Sequence, residues 1–356
     1  MTASHLPPLK FKPVLLPKPW GGDGLWRILG KGKPGDNSMG ESWELSDRPE
    51  ATSVIDGGSL NSMSFSDLIA TYGDAILGDL AARNNFPLLY KFIFAREKLS
   101  VQAHPASGSR LGAAKTECWY VVDAKPGAEL IVGVASKGRS REETLKLLKS
   151  PRCEDVLKRW PAKQGDVFFI PAGTVHAITE GLLLYEVQQN SDTTFRLYDW
   201  GRIDSKGQSR PLHLEQASEV ADLEDRDGYK IPPLRVELDS HSEDYLVACD
   251  FFTLIKWHGF RSPAAMKTRS RFQVLSVISG SFVLRTAEKD RLSLNQGDTV
   301  LVPARQEVQL EAISPGSEML LSFVPDWNAD ILEPLRRAGH GDEAIGRLQG
   351  PSGIRV

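Results

Sequence analysis

Two stretches of this 356-residue chain repeat one another. QGDVFFIPAGTVHAI, from Gln164 to Ile178, and QGDTVLVPARQEVQL, from Gln296 to Leu310, share Gln-Gly-Asp, a run of apolar residues and Pro-Ala in register. A Gly-Asp turn, a strand and a proline corner belong to the closing hairpin of a double-sheet β jelly roll, so the repeat predicts two such rolls in tandem. The copies differ where chemistry is concerned: the first carries His176, and the second has Val308 at the matching position. Only the first copy keeps a potential metal ligand there.

The rest of the chain agrees with an all-β fold carrying short helical inserts. SWELS at 42–46, LYKFIFA at 89–95, ECWYVV at 117–122, DVFFIP at 166–171 and LLLYEVQQ at 182–189 read as strands, as do FFTLIKW, FQVLSVIS and DTVLVP later on. Helical patterns interrupt them near 64–83 and 140–160, and the second opens on Ser140 with Glu143 three residues on, a capping-box pattern. The expected organisation is a metal-binding unit over 1–218, a connector rich in acidic residues and proline over 219–240, a second roll without metal ligands over 241–326, and a tail over 327–356 with one or two short helices.

Composition narrows the function. With 41% hydrophobic and 25% charged residues the chain can build a substantial core. Its formal net charge of -3 offers no general basic field for nucleic acid or an anionic membrane, so an anionic substrate needs a local basic pocket. The first 22 residues contain five prolines and no uninterrupted apolar core, and no later run is long enough to span a bilayer, which predicts a cytoplasmic protein. Cys118, Cys153 and Cys249 have no paired spacing and read as reduced thiols. No feature specifies an oligomeric state.

The stretch LSVQAHP, Leu99 to Pro105, alternates so that Leu99, Val101 and Ala103 share one face and Ser100, Gln102 and His104 the other. By the same rule KTECWYVV puts Lys115, Glu117 and Trp119 on one face. If neighbouring strands bring these faces together, Gln102, His104, Glu117 and His176 supply two imidazole nitrogens and two side-chain oxygens. That donor set suits zinc or another borderline divalent cation rather than calcium.

Five segments carry a resemblance to a known family: WGG at 20–22, GESWELS at 40–46, LSVQAHP, KTECWYVV, and PAGTVHAITEGLLLYEVQQNSDTTFRLYDWGR from Pro171 to Arg202. Over about residues 13–216 the chain resembles the type I phosphomannose isomerases, zinc-dependent cupins. The resemblance implies two cupin-type jelly rolls, one Zn2+ per chain on Gln102, His104, Glu117 and His176, and interconversion of mannose 6-phosphate and fructose 6-phosphate. Such a reaction moves a proton between C2 and C1 through an enediol-like state, which calls for a base and a charge facing the developing oxyanion. Glu186 and Arg196 match the family's active-site carboxylate and arginine; Lys115, two residues before a ligand glutamate, is placed either for proton transfer or as a salt-bridge partner of Glu117. Lys91 and Ser100 match positions near the substrate phosphate, with Arg202 a further candidate, and Trp20 and Trp43 are candidates for the pocket wall. The chain departs from the family in a short segment PASGSRLGAA after His104, in Phe195 where tyrosine is usual, and in Thr179 where glycine is common. Two rival readings are a non-catalytic cupin that senses or holds a sugar or sugar phosphate, and a metal-dependent oxygenase, which gives no task to Lys91, Lys115 or Arg196.

Overall fold

A computed structural model describes residues 6–83, 85–204, 206–288 and 290–352. The first half forms two antiparallel sheets. One has six strands in the order Val167–Ile170, Glu117–Ala124, Leu182–Gln189, Leu88–Ala95, Met39–Leu45 and Val14–Gly22. The other has five, in the order Phe195–Tyr198, Val101–Ala103, His176–Ile178, Glu129–Val134 and Leu157–Pro161. They face each other across an apolar layer in which Ile93, Trp119, Val121 and Leu184 of the first sheet meet Leu130, Val132 and Ile178 of the second.

The second half repeats the plan with an eight-stranded and a four-stranded sheet. The six-stranded sheet of the first roll lies back to back with the eight-stranded sheet of the second. Tyr90, Phe92, Tyr185 and Val187 share a core with Val274, Leu275 and Leu320, and the Tyr185 hydroxyl meets Ser276 Oγ at 2.8 Å. This arrangement explains why every residue of Leu88–Ala95 is buried. Alternation sends Tyr90, Phe92 and Phe94 toward the second roll and turns Lys91 and Ile93 inward.

Several elements differ from the sequence reading. The helical insert expected over 140–160 is shorter: the helix spans Arg141–Leu148 with its Ser140–Glu143 capping box formed, and Leu157–Pro161 is instead an edge strand. Trp160 there sends its indole N–H to Val132 O at 2.9 Å, so sheet pairing and a partly buried hydrogen bond override a helix-compatible pattern. The expected 219–240 connector contains a strand, Leu234–Glu237, paired with Ser242–Ala248. At the start of the chain Leu9–Lys12 leaves the first unit to pair with Thr299–Val302, placing Leu9 opposite Leu301. The tail holds more helical turns than expected, over Trp327–Leu332, Glu333–Arg337, Asp342–Gly346 and Arg347–Ser352, while 353–356 lie outside the described residues.

The first insert, helix Phe65–Leu77 followed by a 3-10 turn, bridges the two rolls. Gly78 joins the two with φ +58, and a Cβ there would stand 2.0 Å from Ser270 O, so only glycine allows the Asp79 N–H to reach that carbonyl at 3.0 Å. Among the described residues no helix is long and apolar enough to cross a membrane.

Candidate active site

Three strands of the first roll bring the candidate ligands together. His176 lies opposite Gln102 in the five-stranded sheet, and Glu117 starts a strand of the facing sheet. His104, Glu117 and His176 are each 1% exposed, with ligand-type atoms all within 4.8 Å of one another. Glu117 Oε1 is 3.4 Å from His176 Nε2, and Oε2 is 3.7 Å from His104 Nε2. Each imidazole is oriented from behind: Nδ1 of His104 donates to Thr193 O and Nδ1 of His176 to Thr174 O, both at 2.8 Å. Those bonds fix the tautomer that leaves each Nε2 lone pair facing Glu117. Gln102 borders the cluster, with its Nε2 3.3 Å from His176 Nε2 and its Oε1 accepting from Ser100 Oγ at 3.2 Å.

Electrostatics favour the unprotonated donors a cation needs. Burial pushes His104 well below its ordinary range, with Lys115 and His176 adding to the fall, and burial takes His176 down to about 4. His104 Nε2 and both Glu117 oxygens have no hydrogen-bond partner among the described residues, although Lys115 Nζ stands 2.8 Å from Glu117 Oε2. Such a gathering of buried acceptors is costly unless something positive satisfies it. Two imidazole nitrogens and a carboxylate fit a borderline divalent cation. It is the one group of three or more such donors found among the described residues.

Above the cluster opens a cavity of ≈ 180 Å³ whose lining includes Lys91, Ser100, Gln102, Lys115, Glu186 and Arg196. Glu186, 2% exposed, accepts from Trp119 Nε1 at 2.8 Å and stands 3.5 Å from Lys91 Nζ and 4.0 Å from Lys115 Nζ. Burial pushes the Glu186 carboxyl up, Glu117 reinforces this, and the two lysines and the indole only partly offset it. Burial disfavours the Lys115 ammonium, yet Glu117 and Glu186 outweigh it, and Lys115 holds its proton above the usual lysine range. Lys91 is 3% exposed, and its Nζ also lies 4.7 Å from the centre of the Trp43 ring. Arg196 lies opposite Gln102 in its sheet, and its Nε has no partner among the described residues.

Nine of the ten candidate residues therefore converge. Arg202 does not: its guanidinium is turned to Asp199 Oδ1 at 3.0 Å and to Lys98 O, outside the cavity lining. Arg210 lines the cavity in its stead, gripped by Asp199 through Nε at 2.8 Å and a second nitrogen at 2.6 Å. Lys18, Glu41, Asp192 and Thr194 also line it, none of them a site residue on the sequence reading. Glu41 had a usable signal, since alternation in GESWELS puts it beside Trp43, whose indole donates to Glu41 Oε2 at 2.7 Å. Lys18, Asp192, Thr194 and Arg210 lie outside any clear alternation, and only the folded chain brings them in. Of the candidate walls, Trp20 lines the cavity and Trp43 lies behind it, beneath Lys91.

Comparison with known proteins gives a consistent result. The model of the phosphomannose isomerase type I catalytic domain matches residues 9–136, and that of the mannose-6-phosphate isomerase cupin domain matches 241–312. The first match contains Gln102, His104 and Glu117 and ends before His176, Glu186 and Arg196. A mannose-6-phosphate isomerase from Streptococcus mutans is 33% identical over 300 residues, covering 83% of this chain and 92% of the relative. One from Bacillus subtilis is 34% identical over 307 residues, covering 83% and 93%. The crystal structure of a Bacillus subtilis mannose 6-phosphate isomerase superposes with a TM-score of 0.81 at 31% identity, covering 90% of this chain and all 100% of that one. Against a Salmonella typhimurium phosphomannose isomerase at 17% identity the TM-score is 0.72, a likeness of fold.

Proposed function

Because the chain belongs to the type I phosphomannose isomerase family, we propose that its first cupin roll is the working half of a mannose-6-phosphate isomerase. The enzyme interconverts an aldose phosphate and its ketose isomer, with no redox cofactor, because the reaction only relocates protons. One observation carries this reading beyond kinship: a buried carboxylate, Glu186, and the guanidinium of Arg196, whose Nε has no partner among the described residues, face one cavity beside the His104–Glu117–His176 cluster.

The cluster is suited to one Zn2+ per chain, held by His104, Glu117 and His176, with Gln102 as a fourth donor if its amide is turned to present Oε1. When bound, such an ion polarises a substrate oxygen and so acidifies the neighbouring C–H. The chain's own groups do the remainder. Glu186 is the base for the carbon proton: its raised affinity for protons, and an Oε1 with no hydrogen-bond partner among the described residues, let it take a proton and return it to the adjacent carbon. Lys115 keeps its proton and serves as a fixed charge and hydrogen-bond donor toward the developing oxyanion, and Arg196 adds a second charge from the facing sheet. Ser100 and Lys91, both in the cavity lining, are the groups assigned here to the substrate phosphate. Arg202 acts indirectly, by sharing Asp199 with Arg210 and leaving Arg210 under-neutralised at the cavity.

The substrate is a small sugar phosphate, and the excess of lysine and arginine around the cavity suits its dianion. The three cysteines are free and buried, which supports a reducing, cytoplasmic setting. Incubation of zinc-loaded protein with mannose 6-phosphate is expected to yield fructose 6-phosphate, and free mannose is expected to react far less, because it forgoes the phosphate contacts that orient the ring. Tight binding of mannose 6-phosphate with no conversion would make the chain a sensor rather than an isomerase.

A further inference from the structure

The catalytic cavity has a counterpart in the second roll. The repeat aligns Ile170 with Val302 and His176 with Val308, and the strand ladders carry that alignment to their neighbours. Ile170 pairs with Glu117 as Val302 pairs with Gln273, and His176 pairs with Gln102 as Val308 pairs with Met266. Glu186, opposite Trp119, corresponds to Leu321, opposite Leu275. Lys91, opposite Glu186, corresponds to Ile255, opposite Leu321. Three metal-ligand positions, the carboxylate and the lysine have thus all become uncharged side chains.

The space has nevertheless been kept. A cavity of ≈ 170 Å³ occupies the same place, with Tyr245, Trp257, Met266, Gln273 and Leu321 in its lining. The cavity opens to solvent between the sheets, with the exposed Ala265, Lys267 and Arg269 at its rim. Two polar atoms stand ready beside it: Trp257, 4% exposed, has an Nε1 donor without a partner, and Gln273 an Oε1 acceptor without one, among the described residues. Each carries the desolvation penalty of an unmade hydrogen bond.

The charges at the mouth identify the class of ligand. Asp330 is paired with Arg269 at 3.1 Å, Lys267 with Glu307 at 3.0 Å, and Glu243 lies 3.3 Å from His241 Nε2. No surplus cation is left for a phosphate, in contrast to the catalytic cavity. Tyr245 and Trp257 border the cavity, and a free donor with a free acceptor suits the hydroxyls of a sugar, which can be both. We propose that the second roll binds an uncharged hexopyranose in this lumen, without metal and independently of the catalytic cavity.

Calorimetric titration of the intact, zinc-loaded protein with mannose, and with glucose as a second probe, tests this. Binding is expected to persist after chelation of the metal and in Arg196→Ala, and to weaken about tenfold in Gln273→Leu, the loss of one hydrogen bond. Met266, whose side chain lies on the lumen face of its strand, offers a second variant: Met266→Phe narrows the lumen and is expected to weaken binding while mannose 6-phosphate turnover stays normal. Failure of both sugars to bind overturns the proposal. So does binding that disappears with the metal or with Arg196→Ala and is unmoved by Gln273→Leu and Met266→Phe.

Discussion

Replacing Arg196 by alanine separates chemistry from folding. The side chain is half-buried, and no ion pair within 4.0 Å forms between it and any described carboxylate. Burial, and then the neighbouring Arg210, disfavour its charge, while Asp199 and Asp192 favour it from farther away. Removal therefore breaks no close pair and relieves a like-charge contact, so the expected change in unfolding free energy is within about 1 kcal/mol, the range of an exposed ion pair. Turnover behaves differently. A charge that acts mainly on the developing oxyanion contributes about 10²–10³ in rate when it sits in a water-poor site. Arg196→Ala should remain folded and metal-loaded, with kcat for mannose 6-phosphate down by that factor and partly restored in Arg196→Lys. Steady-state kinetics alongside urea unfolding reads both quantities. A variant with near-normal kcat and a stability loss of several kcal/mol would refute the reasoning and make Arg196 a structural residue.

Two further outcomes follow from the buried cluster. Metal analysis should find one equivalent of divalent cation per chain, lost in a Glu117→Ala, His176→Ala double variant; two equivalents held alike would contradict the ladder alignment that puts Gln273 and Val308 at those positions. Stability of the metal-free protein should fall on mild acidification. Unfolded, His176 takes up a proton near its ordinary 6.5, whereas folded it does so only near about 4, so between those values the unfolded chain binds more protons. The contribution is complete above about pH 6.5 and is lost as the pH drops toward about 4, on the order of 3 kcal/mol in all. His104 acts in the same direction. Unfolding midpoints that stay flat from pH 7.5 to 4.5 would show that neither imidazole is buried as a neutral donor.

The sequence by itself determined which face each strand offers. Period-two alternation is local, so Gln102 with His104, and Lys115 with Glu117, could be assigned to shared faces without knowing what lay opposite. The repeat of Gln-Gly-Asp and Pro-Ala was likewise legible, because a tight turn and a strand-ending proline need particular residue types wherever they occur. The replacement of His176 by Val308 could be read directly.

Tertiary structure decided what no local period encodes. Whether 157–161 is helix or strand depended on an edge of Glu129–Val134 waiting to be paired. The departure of Leu9–Lys12 to the second roll depended on an open edge at Thr299–Val302, nearly three hundred residues away. Between two arginines in one irregular segment, Asp199 turned Arg202 aside and held Arg210 at the cavity, a choice fixed by the position of a single buried carboxylate. The second lumen became visible only through strand register, since Met266, Gln273 and Leu321 occupy the places of Gln102, Glu117 and Glu186 with none of their metal-binding or acid–base chemistry. Hydrogen-bonded ladders set those correspondences across loops of unequal length, and a linear alignment has no access to them.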